Sequence, residues 1–272
     1  MRRNVIIFAL VLLGAGSWWM WENQPDIRNT IEQYVENGDF LTLEARYTPK
    51  QLMENHRKDL LADGQHSFQD PAIKYYPYLL LDVKYVQSDK KTRESKVLWC
   101  LTDGEMVLDT ENWETTHGFE DAINAEADRN DFKVIQALAK NGGSLTREQL
   151  QNELRLEPEA IAPWIKSALT KHLIVQNDGE LQLHFQNPKI QVQPQTKIKQ
   201  NFVSRSTYQS SRVAKKYSAS QVEKMAQAAF GPTFSIRETK EVYLPVYWIS
   251  VQNPDGTTLT TYWNAISGQR ME

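Results

Sequence analysis

Asp109, Glu111, Glu114, His117, Glu120 and Asp121 fall within thirteen residues, a crowding of carboxylates around one imidazole. On a helix running from about Thr116 to Arg129, His117, Glu120 and Asp121 would share one side at spacings of three and four, close enough to hold a divalent cation between them. The plainer alternative is a helix start, with Thr115 or Thr116 as the cap and the acids drawn to its positive end, and it needs no metal. A second set has the opposite sign. Lys197, Lys199, Arg205, Arg212, Lys215 and Lys216 occur between Thr196 and Tyr217 with no acid among them, interleaved with Phe202, Tyr208 and Tyr217. The chain as a whole carries −3, so the rest of it carries −9. Such a segment could grip an acidic protein face, acidic lipid headgroups or a polyanion through cation and aromatic contacts. It could equally be a linker or edge strand whose lysines discourage further pairing.

No other local pattern points to catalysis. The chain has one cysteine, Cys100, so an internal disulfide and thiolate-rich zinc sites are out of reach. Flanked by Trp99 and Leu101, it reads as a small buried hydrophobe. His56, His66, His172 and His184 stand apart from one another and from any nucleophile in sequence. There is no Gly-x-Ser-x-Gly elbow, no Walker loop and no dinucleotide-binding glycine pattern. No cofactor is called for, and the expectation is a non-enzyme, although a set assembled from distant residues would escape a search of this kind.

The elements that must position these residues begin with an apolar start. Arg2 and Arg3 precede Val5 to Trp21, which has no charge and ends in Trp18, Trp19 and Trp21. Residues 1–21 are therefore expected to be a membrane anchor, with the arginines in the cytoplasm and the tryptophans at the opposite headgroup layer. The rival is a cleaved signal peptide with a small-residue site at Ala15, Gly16 and Ser17. Either one places the remainder outside the cytoplasm, in the cell envelope, or free there if residues 1–17 are removed. From 22 to 130 a small α+β domain is expected: short helices at Asp26 to Tyr34 and after Thr48, then apolar runs at Tyr78 to Val86 and Ser95 to Leu101 forming a hairpin, with a third strand from Glu105.

Residues 131–187 read as helix, helix, helix and hairpin. Phe132, Ile135 and Leu138 give the first apolar face, stopped by Asn141, Gly142 and Gly143. A short strand at Ser144 and Leu145 precedes a capping box, Thr146 and Gln149. Pro158 opens the third helix, lined by Ile161, Ile165, Ala168 and Leu169. Leu173 to Val175, the turn Asn177, Asp178 and Gly179, and the alternation of Leu181, Leu183 and Phe185 make the hairpin. This order resembles the winged-helix family, in which the third helix enters the DNA major groove. Here that helix carries Glu157, Glu159, Lys166 and Lys171, and residues 131–186 hold six Lys and Arg against seven Asp and Glu. Phosphate neutralisation carries much of DNA affinity, so nucleic acid is disfavoured as a partner.

Residues 188–217 form the basic linker or edge segment, and 218–272 a C-terminal α+β module. Ser220 and Glu223 are spaced as a capping box for a helix whose buried stripe is Val222, Met225, Ala226, Ala229 and Phe230. Phe234 to Glu238, Val242 to Val251 and Thr257 to Trp263 are expected strands, the last two joined by the turn Asn253, Pro254, Asp255 and Gly256. The run from Leu244 through Trp248 and Gly256 to Trp263 and Gly268 resembles PepSY-type envelope modules, which implies a small inhibitory or protein-binding unit. Tyr243, Tyr247, Trp248, Tyr262 and Trp263 could line a ligand groove, or be cross-strand pairs on a half-buried sheet. Together these readings give an α+β protein anchored by residues 5–21 that binds or assembles with a protein partner. A membrane-tethered winged-helix regulator is the second reading, and a metal-dependent enzyme using the His117 cluster the third.

Overall fold

A computed structural model describes residues 39–271 apart from 62–65, 88 and 207–209. The expected anchor at 5–21 and the helix at 26–34 lie outside the described residues. Among those described, no helix is long and apolar enough to cross a membrane.

The centre is a long hairpin, β3 (Ala72–Val86) with β4 (Thr92–Cys100), paired in register from Tyr78↔Cys100 to Val86↔Thr92. The other edge of β3 pairs antiparallel with β12 (Ser235–Gln252), from Ser235↔Lys84 to Pro245↔Tyr75. The two stretches expected as separate strands, 234–238 and 242–251, are thus one. β12 turns back into β13 (Thr258–Asn264), and β14 (Arg270–Met271) follows. β1 (Asp39–Leu43), β2 (Ser67–Phe68), β5 (Met106–Asp109), β6 (Glu114–Thr115), β10 (Phe202–Ser206) and β11 (Ser211–Arg212) complete one curled sheet of eleven described strands. The described part of residues 22–130 and residues 218–271 are therefore joined strand to strand through β3 and β12. Ten register pairs join β3 to β12.

Two halves of this sheet repeat one another. Tyr47 and Thr48 precede α1 (Pro49–Asn55), continued after His56 by α2 (Arg57–Leu61). Tyr217 and Ser218 precede α7 (Ala219–Phe230). Both helices start with a capping box, Thr48 with Gln51 and Ser218 with Gln221, and each then buries an aliphatic residue, Leu52 or Val222. Sequence spacing suggested Ser220 and Glu223 for the second cap. The helix begins two residues earlier, where the same spacing is available, and Glu223 instead accepts a bond from the Thr239 hydroxyl at 2.8 Å.

The halves hold each other reciprocally. The amides of Arg46 and Tyr47 donate to the Ala265 carbonyl at 2.9 and 3.0 Å; those of Lys216 and Tyr217 donate to Leu101 at 2.8 and 3.0 Å. Leu101 N–H bonds the Pro77 carbonyl at 3.0 Å, and Ala265 N–H bonds Pro245 at 3.1 Å. β1 runs parallel to β12 at Thr42↔Tyr243, and β11 runs parallel to β3 at Arg212↔Tyr75. Gly104 and Gly268 adopt φ of +76° and +73°, and a Cβ on either would stand 3.0 Å from a tyrosine ring, Tyr217 and Tyr47 respectively. Contacts of the form i to j and j to i are the signature of a two-fold pair, here within one chain.

Each helix covers the other half's hairpin. Leu52 packs with Tyr247, Ile249 and Trp263, while Val222, Met225 and Ala226 belong to the cluster around Leu79, Leu81 and Trp99. The opposite face buries Tyr78, Leu80, Leu98, Val242, Leu244 and Val246 from both halves.

Between β6 and β10 lies the inserted helical unit. It comprises α3 (Phe119–Asn124), α4 (Arg129–Lys140), β7 (Ser144–Thr146), α5 (Arg147–Leu154), α6 (Pro158–Thr170), β8 (Ile174–Asn177) and β9 (Glu180–Leu183). The expected caps hold where sequence placed them: Thr146 with Gln149, and Pro158 in the first turn. The three strands form a small antiparallel sheet in the order β7-β9-β8. Phe132, Val134, Ile135 and Leu138 of α4 join the same core as Trp99 and α7, so the unit is welded to the frame.

Candidate functional site

The acidic cluster does not converge. Helix α3 starts at Phe119, after Gly118 in a left-handed conformation at φ 111°, and spans six residues. His117 lies before it, exposed, with its backbone bridged to Lys189. The spacing of His117 with Glu120 and Asp121 therefore carries no common face. Thr116 is no helix cap either, because its buried hydroxyl donates to Glu105 Oε2 at 2.6 Å. Glu105 Oε1 takes the N–H groups of Gly118 at 2.8 Å and Glu120 at 3.1 Å, serving the helix start from the residue before β5. Burial raises the Glu105 carboxyl above its ordinary range against these bonds. Among the described residues no three His, Cys, Asp or Glu side chains group as a metal site would need.

Three of the six cations of the basic segment, Lys199, Lys215 and Lys216, meet an acid within the chain. Lys216 Nζ reaches Glu120 Oε1 at 2.6 Å, which joins the two candidate sets into one ion pair. Lys215 pairs with Glu241 at 2.7 Å, and Lys199 with Glu111. Arg212 lies 5.8 and 5.7 Å from the ring centres of Phe40 and Tyr243 and bonds the Tyr243 hydroxyl at 3.4 Å. Lys197 is tied by its backbone to Leu108 and Thr110, and Arg205 sits exposed on β10 opposite Phe40. Surface pairs of this kind contribute little stability each, and they engage three of the six cations expected for a partner.

The five C-terminal aromatics do not share a groove. Alternation along the strands sends Tyr247 and Trp263 beneath α1, and Trp248 and Tyr262 to the opposite face in edge-on contact at 4.8 Å. Tyr243 is buried with Phe40 and Tyr75. Cys100 is buried beside the Thr102 hydroxyl, and burial pushes its thiol up to about 12, so it is protonated and unreactive near neutral pH.

What the structure does open is a cleft of about 390 Å³ where the tip of the β3–β4 hairpin, α4, residues 191–194 and the end of α7 meet. Gln87, Gln136, Gln191 and Gln193 line it with Val86 and Phe230, and none of its lining side chains is charged. Gln136 Nε2 donates to the Ala229 carbonyl at 3.2 Å and Gln191 donates to the Gln136 carbonyl, so two of the amides lock the walls together. The side-chain amides of Gln87 and Gln193 make no hydrogen bond to any described residue. An uncharged mixture of amide, hydroxyl and apolar surface can bind a neutral polar partner. Sequence reasoning passed over these residues because glutamine flags no chemistry. Their one local sign is the alternation of Gln191, Gln193 and Gln195 in a glutamine-rich stretch. Compared with models of known families, with curated proteins and with solved structures, the chain finds no match in any of the three.

Proposed function

We propose that this protein is a membrane-anchored component of the cell envelope, held by residues 5–21, that acts outside the cytoplasm as a non-catalytic binding or assembly protein. The observation that carries this reading is the uncharged cleft at the junction of the inserted unit and the duplicated sheet. It offers hydrogen-bonding amides and apolar walls without a carboxylate, imidazole or cation, which suits recognition and not bond breaking. The repeated half, with its helix and antiparallel hairpin, fits the PepSY-like role of a protein-binding module.

A specific observation favours a second reading, the tethered winged-helix regulator: helix, strand, helix, helix and hairpin with the strand order β7-β9-β8. The outward residues of α6 weigh against DNA as the ligand. Glu159, Ala160, Pro163 and Lys166 are exposed there, one acid against one base, and give no row of cations for phosphate. The winged-helix-like unit then serves as a further protein contact.

A reporter that is active only outside the cytoplasm, fused after Glu272, separates the two. Activity with the intact chain in the membrane fraction is the expected result. A reporter silent outside and a chain facing the cytoplasm would overturn the envelope reading and restore the regulator.

A further inference from the structure

The cleft has a backbone side as well as a side-chain side. Residues 191–193 run without turn or bend between two isolated bridges, His117↔Lys189 and Asp109↔Lys197. Among the described residues, none of their three N–H groups finds a hydrogen-bond partner, nor do the carbonyls of Gln191 and Val192. The Gln193 carbonyl takes Gln195 N–H at 2.7 Å. Gln191 and Gln193 are exposed. A nearly straight segment with unmet donors and acceptors is what an added strand pairs with, and main-chain bonds of this kind supply affinity while flanking side chains supply selectivity.

We infer that this segment and the cleft beside it bind an extended, uncharged peptide by strand addition. The peptide lies along 191–193 and exchanges backbone hydrogen bonds with it. Gln87 and Gln193, whose amides are uncommitted, each offer a donor and an acceptor to its polar groups, and Val86 and Phe230 take an apolar side chain. A charged peptide is refused because nothing in the cleft would neutralise it on desolvation. This inference rests on the reading of the protein as a binding component and names the site and the class of partner.

The test uses the full chain in detergent micelles and an acetylated, amidated, fluorescent heptapeptide of alternating serine and valine, with counterparts bearing one Lys or one Glu. Anisotropy reads binding, and hydrogen exchange reads the amides of 191–193. The neutral peptide should saturate and slow exchange at least tenfold at the alternate amides of 191–193 that face it. Gln87→Glu with Gln193→Glu should weaken it tenfold or more while leaving thermal unfolding unchanged. Binding that leaves 191–193 exchanging freely, or that ignores the two substitutions, would overturn the cleft assignment while leaving a binding protein. Tighter binding of a charged counterpart would overturn the uncharged class. No binding by any of the three peptides overturns the inference itself, and the reporter experiment still decides the location.

Discussion

The two halves of the sheet share a plan but not a cover. Trp99 of the first hairpin is fully buried, with its Nε1 donating to the Gly104 carbonyl at 2.7 Å and its ring 5.0 Å from Phe119 and 6.4 Å from Phe230. Trp263, at the matching place in the second hairpin, bonds the Thr261 hydroxyl at 2.7 Å and meets His56 at 4.3 Å. The first hairpin lies under α7, twelve residues long, together with α3 and α4 of the inserted unit; the second lies under α1 and α2, broken at His56. The inserted unit thus extends the core over the first half, while α1 and α2 alone cover the second. The uncharged cleft lies on the side of the inserted unit.

Truncating the two tryptophans should expose that asymmetry most strongly. Trp99→Ala is expected to cost about 4–5 kcal/mol and Trp263→Ala about 3 kcal/mol, the upper and lower parts of the range for a buried aromatic, read by urea unfolding. Equal losses would mean that the inserted unit adds nothing to the first half. The paired glycines come next. Gly268→Ala meets the Tyr47 ring first, at 3.0 Å, and should cost about 1 kcal/mol for its positive φ. Gly104→Ala also meets Ile123 Cδ1 at 3.1 Å and the Glu120 backbone at 3.3 Å, so it should cost roughly 2–3 kcal/mol, within the range for a strained backbone that cannot relax. The caps sharpen the comparison further. Ser218→Ala and Thr48→Ala should each cost about 1 kcal/mol, and equal effects would show that both helices are docked, despite their different lengths.

The smallest effect is one of pH. Glu105 stands where the second half has Gln269, and both carbonyls take an equivalent amide, of Cys100 and Asn264, at 2.9 Å. Its carboxyl is raised in the fold by burial, so its share of stability is complete below the unfolded value of about 4.3 and is lost as pH rises through the folded value. Glu105→Gln keeps an acceptor for the Gly118 and Glu120 amides. It should flatten the stability profile just above pH 4 and change stability at pH 7 by less than about 1 kcal/mol. An unchanged profile would mean that Glu105 does not titrate in that window.

Much of the fold was legible locally. The cap at Thr146, the proline at 158, the glycine stops at 142 and 143 and the Asp178, Gly179 turn each fix their element through nearby bonds, and each stands where its spacing said. The duplication was written in the chain too, as Tyr-Thr or Tyr-Ser followed by a glutamine three residues after the cap, and as Trp99 to Gly104 against Trp263 to Gly268. It is faint in the sequence because few other residues are shared and the inserted unit separates the copies. The candidate site was the least legible part. Ion pairs such as Lys216 with Glu120 and Lys215 with Glu241 join residues far apart in sequence, so a charge run read alone overstates what is left for a partner. The cleft draws on four separated segments, and its glutamines look ordinary until the fold brings them together.

The most direct test places a photo-reactive amino acid at Gln193 and, as a control on the lightly covered half, at the exposed Leu259, in the full chain in its native membranes. If the cleft binds as inferred, position 193 gives a discrete cross-linked adduct, lost when Gln87 is changed to glutamate, and 259 gives none. Adducts from 259 with none from 193 would contradict the inference.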